Sequence, residues 1–417
     1  MGGPGRPGWR IRRRLRHNGA GNTDFLIRSY DSSTGALLWE DQVDRAGGND
    51  FANDVAVRGN DLLVAGRVTS GSGNHDYLVR AYDLASGNLV WEDQLDVFGT
   101  NDFANGVAVA GGRAFVVGIA LNPVGNFALP NFVILVRAYD VSTGTLLWND
   151  QFDLAGGDDQ GFAIAAEGSA VAITGFGQSV NGDFDFLVRT YDAITGTLLW
   201  QDQFDQASGD DAGISLAMGS GLVLASGVAG ADSTCDFFAN TGDCDFAVRA
   251  YDATTGTLLW EERLDLAGDF DISFDIATRG GRAFAVGMGT NAAGNGDLLV
   301  RAYDARTGML HWQDQIDTVG GNDFVSAVAL NNNHVFVSGH QASDASCGLF
   351  FGGNCDFAVR AYDARNGALA WVDQRPTVGG NDLAFAIAAS GVRVFSVGRV
   401  TNANGDFDFF VRAYDGR

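Results

Sequence analysis

One aspartate recurs at the same place in every complete repeat of this chain, and carboxylates are side chains that calcium prefers as ligands. This position lies twenty residues after a recurring tyrosine and is occupied by Asp50, Asp102, Asp159, Asp211, Asp271, Asp323 and Asp382. If the repeats close into a ring, these carboxylates lie close together around one mouth of it, and two of them 4 Å apart repel by about 1 kcal/mol in water. The pattern therefore predicts a calcium-binding ring. The structural alternative is that each aspartate caps its own turn.

The four cysteines form two close pairs, Cys235 with Cys244 and Cys347 with Cys355. Both pairs fall at the same point of the repeat, in an insertion just before the Asp-Phe that begins a strand. We predict that each pair forms a local disulfide, which requires an oxidising compartment. Zinc ligation, with His340 near the second pair, and reduced packing thiols are the alternatives.

The composition excludes several other kinds of chemistry. The chain has no lysine, which excludes Schiff-base catalysis, and its five histidines show neither the spacing of a metal cluster nor that of a catalytic triad. The net charge of −24 and the pI near 4.3 argue against nucleic acid as a partner and favour cations or cationic partners, although acidity also simply keeps a surface soluble. No apolar run approaches the roughly 18 residues that a transmembrane helix needs.

The repeat that positions these residues is marked by a tyrosine, and periods of 52 residues alternate with periods of 57 to 60. Residues 246–251 predict a strand, 252–256 a tight turn and 258–260 a returning strand, because Asp and Thr bond turn backbone and Gly allows positive φ. A linker and two further apolar runs follow, so each period predicts four short strands. The tyrosines are Tyr30, Tyr82, Tyr139, Tyr191, Tyr251, Tyr303, Tyr362 and Tyr414.

Repeated four-stranded units predict an all-β fold, a single seven-bladed β-propeller in which the closed ring protects the strand edges. The last blade lacks its outermost strand, and we expect the N-terminal hairpin to supply it and close the ring. Eight blades and a β-solenoid are the alternatives. We assign residues 18–417 to the propeller. Residues 1–17 are an atypical Arg-rich leader, which we expect to be disordered or mis-framed, with the true chain extending upstream.

The repeats also carry the pattern Ala-x-Asp-x-x-Thr-Gly-x-x-x-Trp, which Ala250, Asp252, Thr255, Gly256 and Trp260 match fully and most other copies match nearly as well. The pattern resembles the tryptophan-docking motif of quinoprotein-type propellers, the family of pyrroloquinoline quinone (PQQ) dehydrogenases and of a non-catalytic outer-membrane-assembly lipoprotein. The segment from Gly47 to Asn53 resembles bacterial seven-bladed propeller (SBBP-type) repeats. The resemblance implies that the tryptophans hold neighbouring blades together; they are Trp39, Trp91, Trp148, Trp200, Trp260, Trp312 and Trp371.

The resemblance leaves an enzyme and a binding protein open. A quinoprotein dehydrogenase usually has adjacent cysteines near its cofactor, and no two cysteines adjoin here. We therefore expect no PQQ and no catalytic residues, while calcium stays open through the aspartate ring.

The alternate, longer periods place insertions before the third strand of a blade, on the face that carries the aspartate ring. Their aromatic residues are candidate partner contacts: Phe127, Phe237, Phe238, Phe350 and Phe351. We interpret the protein as a monomeric, non-catalytic scaffold, exported to the periplasm or the cell surface, that binds a protein or glycan through these loops. The alternatives are a PQQ-dependent dehydrogenase-like enzyme and a calcium-dependent glycan-binding module. Self-packing of the loop tips is the structural alternative for the aromatic residues.

Overall fold

A computed structural model of the chain describes residues 22–123, 130–154, 157–206, 209–348, 353–375 and 380–417. Within these residues the secondary structure consists of β-strands and turns, and no helix is long and apolar enough to cross a membrane. The strands pair with their neighbours in the sequence, antiparallel, into six four-stranded sheets, one two-stranded sheet and one three-stranded sheet. This confirms the predicted all-β class and the four strands per period.

The chain divides into two compact units. The first comprises residues up to Gly182 together with Arg189–Gln201, and the second comprises Asp183–Val188 with Asp202–Arg417. The first unit holds the two-stranded sheet β1 (Phe25–Tyr30) and β2 (Leu37–Val43); the sheet β3 (Phe51–Arg58), β4 (Asp61–Thr69), β5 (His75–Asp83) and β6 (Leu89–Leu95); and the sheet β7 (Asp102–Ala110), β8 (Arg113–Asn122), β9 (Asn131–Asp140) and β10 (Leu146–Phe152). The next sheet along the chain comprises β11 (Asp159–Glu167), β12 (Ala170–Gln178), β13 (Phe184–Asp192) and β14 (Leu198–Phe204).

The second unit continues with the same four-stranded pattern and ends in a sheet of three strands. Its sheets are β15 (Ala212–Gly219), β16 (Leu222–Gly230), β17 (Cys244–Asp252) and β18 (Leu258–Leu264); β19 (Ile272–Arg279), β20 (Arg282–Thr290), β21 (Gly296–Asp304) and β22 (Leu310–Ile316); β23 (Phe324–Leu330), β24 (His334–Ala342), β25 (Cys355–Asp363) and β26 (Leu369–Arg375); and β27 (Leu383–Ser390), β28 (Arg393–Thr401) and β29 (Phe407–Asp415). The last sheet lacks a fourth strand, as the sequence predicts. Closure by the N-terminal hairpin, and the choice between seven and eight blades, stay predictions.

The hydrophobic core lies between successive sheets of each unit. In the second unit, Leu224 and Val248 of one sheet pack with Ala285 and Tyr303 of the next, and all four are buried. The middle strands of each sheet are buried on both faces, as β17 shows, whereas the outermost strand begins with exposed apolar residues. A core of this kind is built one sheet at a time, because each sheet supplies one face to each neighbour.

The hairpin turn between the third and fourth strands forms as the sequence predicts. The Asp252 Oδ1 accepts hydrogen bonds from the backbone N–H groups of Thr254, at 3.1 Å, and Thr255, at 3.0 Å. The N–H of Gly256 donates to the Asp252 carbonyl at 2.9 Å, with φ of 71° at the glycine. The carboxylate thus organises the turn, and the hydrogen bonds lower its pKa below the ordinary value.

The repeated tryptophan joins neighbouring sheets within each unit. The indole Nε1 of Trp260 donates to the carbonyl of Ala305 at 3.0 Å, and its ring lies against Gly308 and Tyr303, with ring centroids of the two aromatics 5.4 Å apart. A Cβ added to Gly308 would lie 2.6 Å from the indole. The same indole-to-carbonyl bond is made by Trp39, Trp91, Trp148 and Trp312.

We expect the close contact between Gly308 and Trp260 to contribute more to the free energy of unfolding than the positive φ of the glycine does by itself. Gly308→Ala should lower the free energy of unfolding by about 2–4 kcal/mol, because left-handed strain of roughly 1 kcal/mol adds to overpacking against the indole. The matched control is Gly294→Ala, which has a similar positive φ of 82° but nothing within 4 Å of an added Cβ. Urea unfolding followed by tryptophan fluorescence measures both variants, and equal losses would contradict the docking role.

The turn aspartate predicts a pH dependence. Its pKa is lowered in the folded chain, so its contribution is present above the unfolded value, near 3.9, and is lost as the pH falls through the folded value. Asp252→Ala should lower the Tm at pH 7 by about 1–2 °C, and the difference from the parent should shrink below pH 4. Thr254→Ala is the control, because among the described contacts only the backbone of Thr254 bonds to Asp252. A difference that stays constant down to pH 2 would refute this assignment.

Candidate functional site

The seven aspartates of the predicted ring are fully buried and tie each linker to its sheet. Asp211 shows the pattern: its Oδ2 accepts from the backbone N–H of Gln206 at 2.7 Å, and its Oδ1 accepts from that of Gly230 at 2.9 Å. These donors lie five residues before and nineteen residues after the aspartate, so the carboxylate reaches beyond its own turn. Backbone donors to the two oxygens are also found at Asp50, Asp159, Asp271 and Asp323, and donors to one oxygen at Asp102 and Asp382.

Burial of these aspartates disfavours their charged form. It raises the pKa of Asp159 and Asp211 to about 8 and that of Asp102 to about 7, against the opposing effect of the backbone donors. The described hydrogen bonds show that each carboxylate holds backbone N–H groups of its own repeat in place. Calcium binding by the seven together stays a prediction.

A second aspartate series, near the start of the third strand, also has a repeated structural use. Five of these aspartates accept from a glutamine eighteen residues later, as in Gln94 to Asp76 at 2.6 Å and Gln315 to Asp297 at 2.6 Å. The arginine four residues after the aspartate reaches instead to the outermost strand of the preceding sheet, where Arg249 Nη2 lies 3.0 Å from the Asp202 carboxylate. These arginines therefore form ion pairs between neighbouring sheets, and the partner is a carboxylate on the outermost strand.

The structure pairs the four cysteines as predicted. Cys235 and Cys244 form one disulfide with Cα atoms 5.0 Å apart, and Cys347 and Cys355 form the other with Cα atoms 5.1 Å apart. A ring nitrogen of His340 lies within 4.8 Å of the sulfur atoms of Cys347 and Cys355. These two sulfurs, however, are bonded to each other. Zinc would need free thiolates there, so this structure favours the disulfide over the zinc alternative.

The first disulfide fixes an inserted loop, residues 231–243, against the linker that precedes its sheet. The carbonyl of Cys235 accepts from the N–H of Asp210 at 3.2 Å, and the Asp210 carboxylate accepts from the N–H of Phe237 at 3.0 Å. Phe238 is 54% exposed and makes edge contacts with Phe237 and Phe184, with ring centroids 5.2 and 5.3 Å away. A rigid loop thus presents an aromatic side chain to solvent.

The second disulfide builds a loop of the same kind. The carbonyl of Cys347 accepts from the N–H of Asn322 at 3.2 Å, as Cys235 does from Asp210. The Asp344 carboxylate organises this loop through Ser346 and Asn354. The remaining predicted contact residues, Phe127, Phe350 and Phe351, lie outside the described residues.

One acidic cluster escaped the sequence analysis. Carboxylate oxygens of Asp243, Asp245 and Asp265 lie within 4.8 Å of one another; we call these residues the three-aspartate cluster. Asp243 and Asp245 flank Cys244, and Asp265 follows β18. Burial, with repulsion from Asp265 and Asp243, raises the pKa of Asp245 to about 6. The available sequence signal was a departure from the repeat, since Arg263 stands where Gln94 and Gln315 stand in other periods.

Comparison with known structures supports the fold. The chain is 14% identical to the quinohemoprotein alcohol dehydrogenase from Comamonas testosteroni, covering 91% of this chain and 68% of that one with a TM-score of 0.56. The chain is also 14% identical to quinohemoprotein alcohol dehydrogenase ADHIIG from Pseudomonas putida HK5. That match covers 91% of this chain and 68% of the other, with a TM-score of 0.52. BamB from Moraxella catarrhalis is 15% identical over 87% of both chains, with a TM-score of 0.47. At these identities the two dehydrogenases show a shared fold and no more.

Comparison with curated protein sequences found no match. A family model described as outer membrane protein assembly factor BamB, by contrast, matches residues 23–235, 134–346 and 244–401. These overlapping matches together span residues 23–401. The chain therefore belongs to the PQQ-repeat propeller family of outer membrane protein assembly factor BamB.

Proposed function

We propose that the protein is a non-catalytic scaffold that binds a protein or glycan partner through its inserted loops. The observation that carries the proposal is the loop 231–243. Its disulfide and the Asp210 carboxylate hold it on the linker, and Phe238 remains about half exposed. An exposed aromatic on a rigid support binds at low entropic cost, because little freedom is lost when a partner covers it.

The repeated residues support the same proposal because they already have structural uses. The tryptophan docks on the next sheet, the turn aspartate organises the hairpin, and the buried aspartate holds the linker. A site that recognises one partner needs features that are not copied in every repeat. In this chain such features lie in the insertions and their aromatic residues. Membership of a family whose model is described as an assembly factor is consistent with a binding role.

A PQQ-dependent dehydrogenase-like enzyme is the main alternative. The adjacent cysteines that the resemblance associates with the cofactor have no counterpart, because the four cysteines pair at separations of 9 and 8 residues in two loop disulfides. In this respect the residues do not fit the cofactor, and we derive no reaction step through it. Equilibrium dialysis with PQQ and calcium tests the alternative, and tight one-to-one binding would overturn the scaffold proposal.

The proposed location is the periplasm or the cell surface, with the protein acting as a monomer. Two disulfides between cysteines fit an oxidising compartment. The third hypothesis is that the protein is a calcium-dependent glycan-binding module. It predicts that chelation abolishes binding to a polysaccharide array, whereas the loop proposal requires only the intact loop.

Site-specific photo-cross-linking tests the proposed surface. With p-benzoylphenylalanine in place of Phe238, we expect a discrete cross-linked protein in cells, or a retained ligand on a glycan array. The matched control places the same group at Met309, an apolar residue that is 59% exposed in a hairpin turn of the same unit.

Two further variants separate the loop from the fold. Phe238→Ser should weaken binding of the captured partner by about tenfold or more, as expected for an aromatic anchor. Cys235→Ser with Cys244→Ser should weaken it too, because the loop loses its covalent support, while circular dichroism stays that of a β protein. Equal cross-linking at Phe238 and Met309, or full binding by Phe238→Ser, would refute the proposal.

A further inference from the structure

The three-aspartate cluster has the geometry of a cation site. Asp243 and Asp245 lie at the base of the loop 231–243, and Asp265 lies in the linker after β18. Their carboxylate oxygens lie within 4.8 Å of one another. Two oxygens on opposite sides of a calcium ion, each at about 2.4 Å, are separated by about that distance. One ion can therefore contact all three carboxylates.

Asp245 points into this cluster without a hydrogen-bond donor. It is 8% exposed, and its Oδ1 is buried with no partner. At the equivalent Asp76, Asp185 and Asp356 the Oδ1 is also unpaired, but a glutamine donates to the Oδ2. No such donor to Asp245 is found among the described residues, so a buried carboxylate lacks the partner that its counterparts have.

The missing donor has a sequence cause. Arg263 replaces the glutamine, and its guanidinium turns away from Asp245 to bind Gln206 and the Glu261 carboxylate, the latter at 3.1 Å. Arg263 still lies close enough to favour the charged form of Asp245. Among the described contacts it makes no hydrogen bond to Asp245.

Asp243 also differs from the asparagine that five of the eight copies of the repeat carry at this position. Asn22 and Asn74 occupy the equivalent position in two other periods, and each donates its amide to a linker carbonyl, at 2.6 and 2.5 Å. A carboxylate cannot make that bond, and the buried Oδ1 of Asp243 has no partner. Asp265, Asp232 and Asp269 add negative charge around Asp243. Both substitutions thus remove hydrogen-bond donors and leave acceptor oxygens.

We propose that Asp243, Asp245 and Asp265 bind a calcium ion. Three carboxylates and no nitrogen or sulfur ligand form the donor set of a hard cation, and calcium tolerates irregular geometry with water and backbone carbonyls completing its shell. The ion joins the base of the disulfide loop to the linker after β18. These residues are distinct from the seven aspartates of the predicted ring, and the proposal does not depend on what the loop binds.

Calcium titration by isothermal calorimetry on the full chain, first treated with EDTA, tests the site. We expect one saturable site with an affinity in the micromolar to millimolar range typical of carboxylate sites outside the cytosol. Asp245→Asn and Asp243→Asn each remove one charge with little change of shape. Each should lower the affinity for calcium at least tenfold. Asp297→Asn is the matched control, because it changes the equivalent aspartate where Gln315 and Asn291 donate to it. It should leave the affinity unchanged.

Asp265→Asn changes an exposed position and serves as the test if the variants at the buried positions fail to fold. It too should lower the affinity for calcium about tenfold. Its amide oxygen can still accept from the N–H of Gly268, so the linker turn is kept. The absence of saturable binding up to about 10 mM calcium would overturn the proposal. So would calcium affinity that is unchanged in Asp245→Asn and Asp265→Asn, because the ion would then lie elsewhere, as in the predicted ring.

Discussion

Within each unit the structure depends on one contact, the docking of a tryptophan indole on the hairpin turn of the next sheet. The indole donates to a backbone carbonyl and lies against a glycine whose missing Cβ makes room for the ring. A sheet whose middle strands are buried on both faces is not stable alone, because each face needs a neighbour to cover it. The docking contact sets the spacing between sheets, and the core of aliphatic and tyrosine side chains fills the space that results.

Charge in this protein is used mainly inside the repeats. The turn aspartates organise hairpins, the buried aspartates bind linker N–H groups, and arginines reach carboxylates of the preceding sheet. The buried aspartates in this way satisfy backbone N–H groups and carboxylate oxygens that would otherwise be buried without partners, which is costly. A net charge of −24 therefore does not imply an acidic binding surface of the same size. Function has to be sought where the repeat is broken.

Two kinds of break stand out in the second unit. Insertions closed by disulfides extend from alternate sheets, and the first presents Phe238, which carries the proposed partner-binding role. Beside the first insertion, Arg263 and Asp243 replace residues that donate hydrogen bonds in other periods, and three carboxylates are left close together. Both breaks occur at the same loop base, so a cation there would support the loop that presents Phe238.

The amino-acid sequence alone determined the four-stranded period, the turn at Asp252, the tryptophan docking and both disulfides, because each depends on local spacing or on a pattern copied in every repeat. It did not determine the partners of the repeated aspartates: Asp211 bonds to residues five before and nineteen after it, a pairing fixed only when the linker folds back on the sheet. Nor did it find the three-aspartate cluster. Asp265 and Asp245 are twenty residues apart in sequence, and only strand pairing brings carboxylate oxygens of the two residues within 4.8 Å of each other.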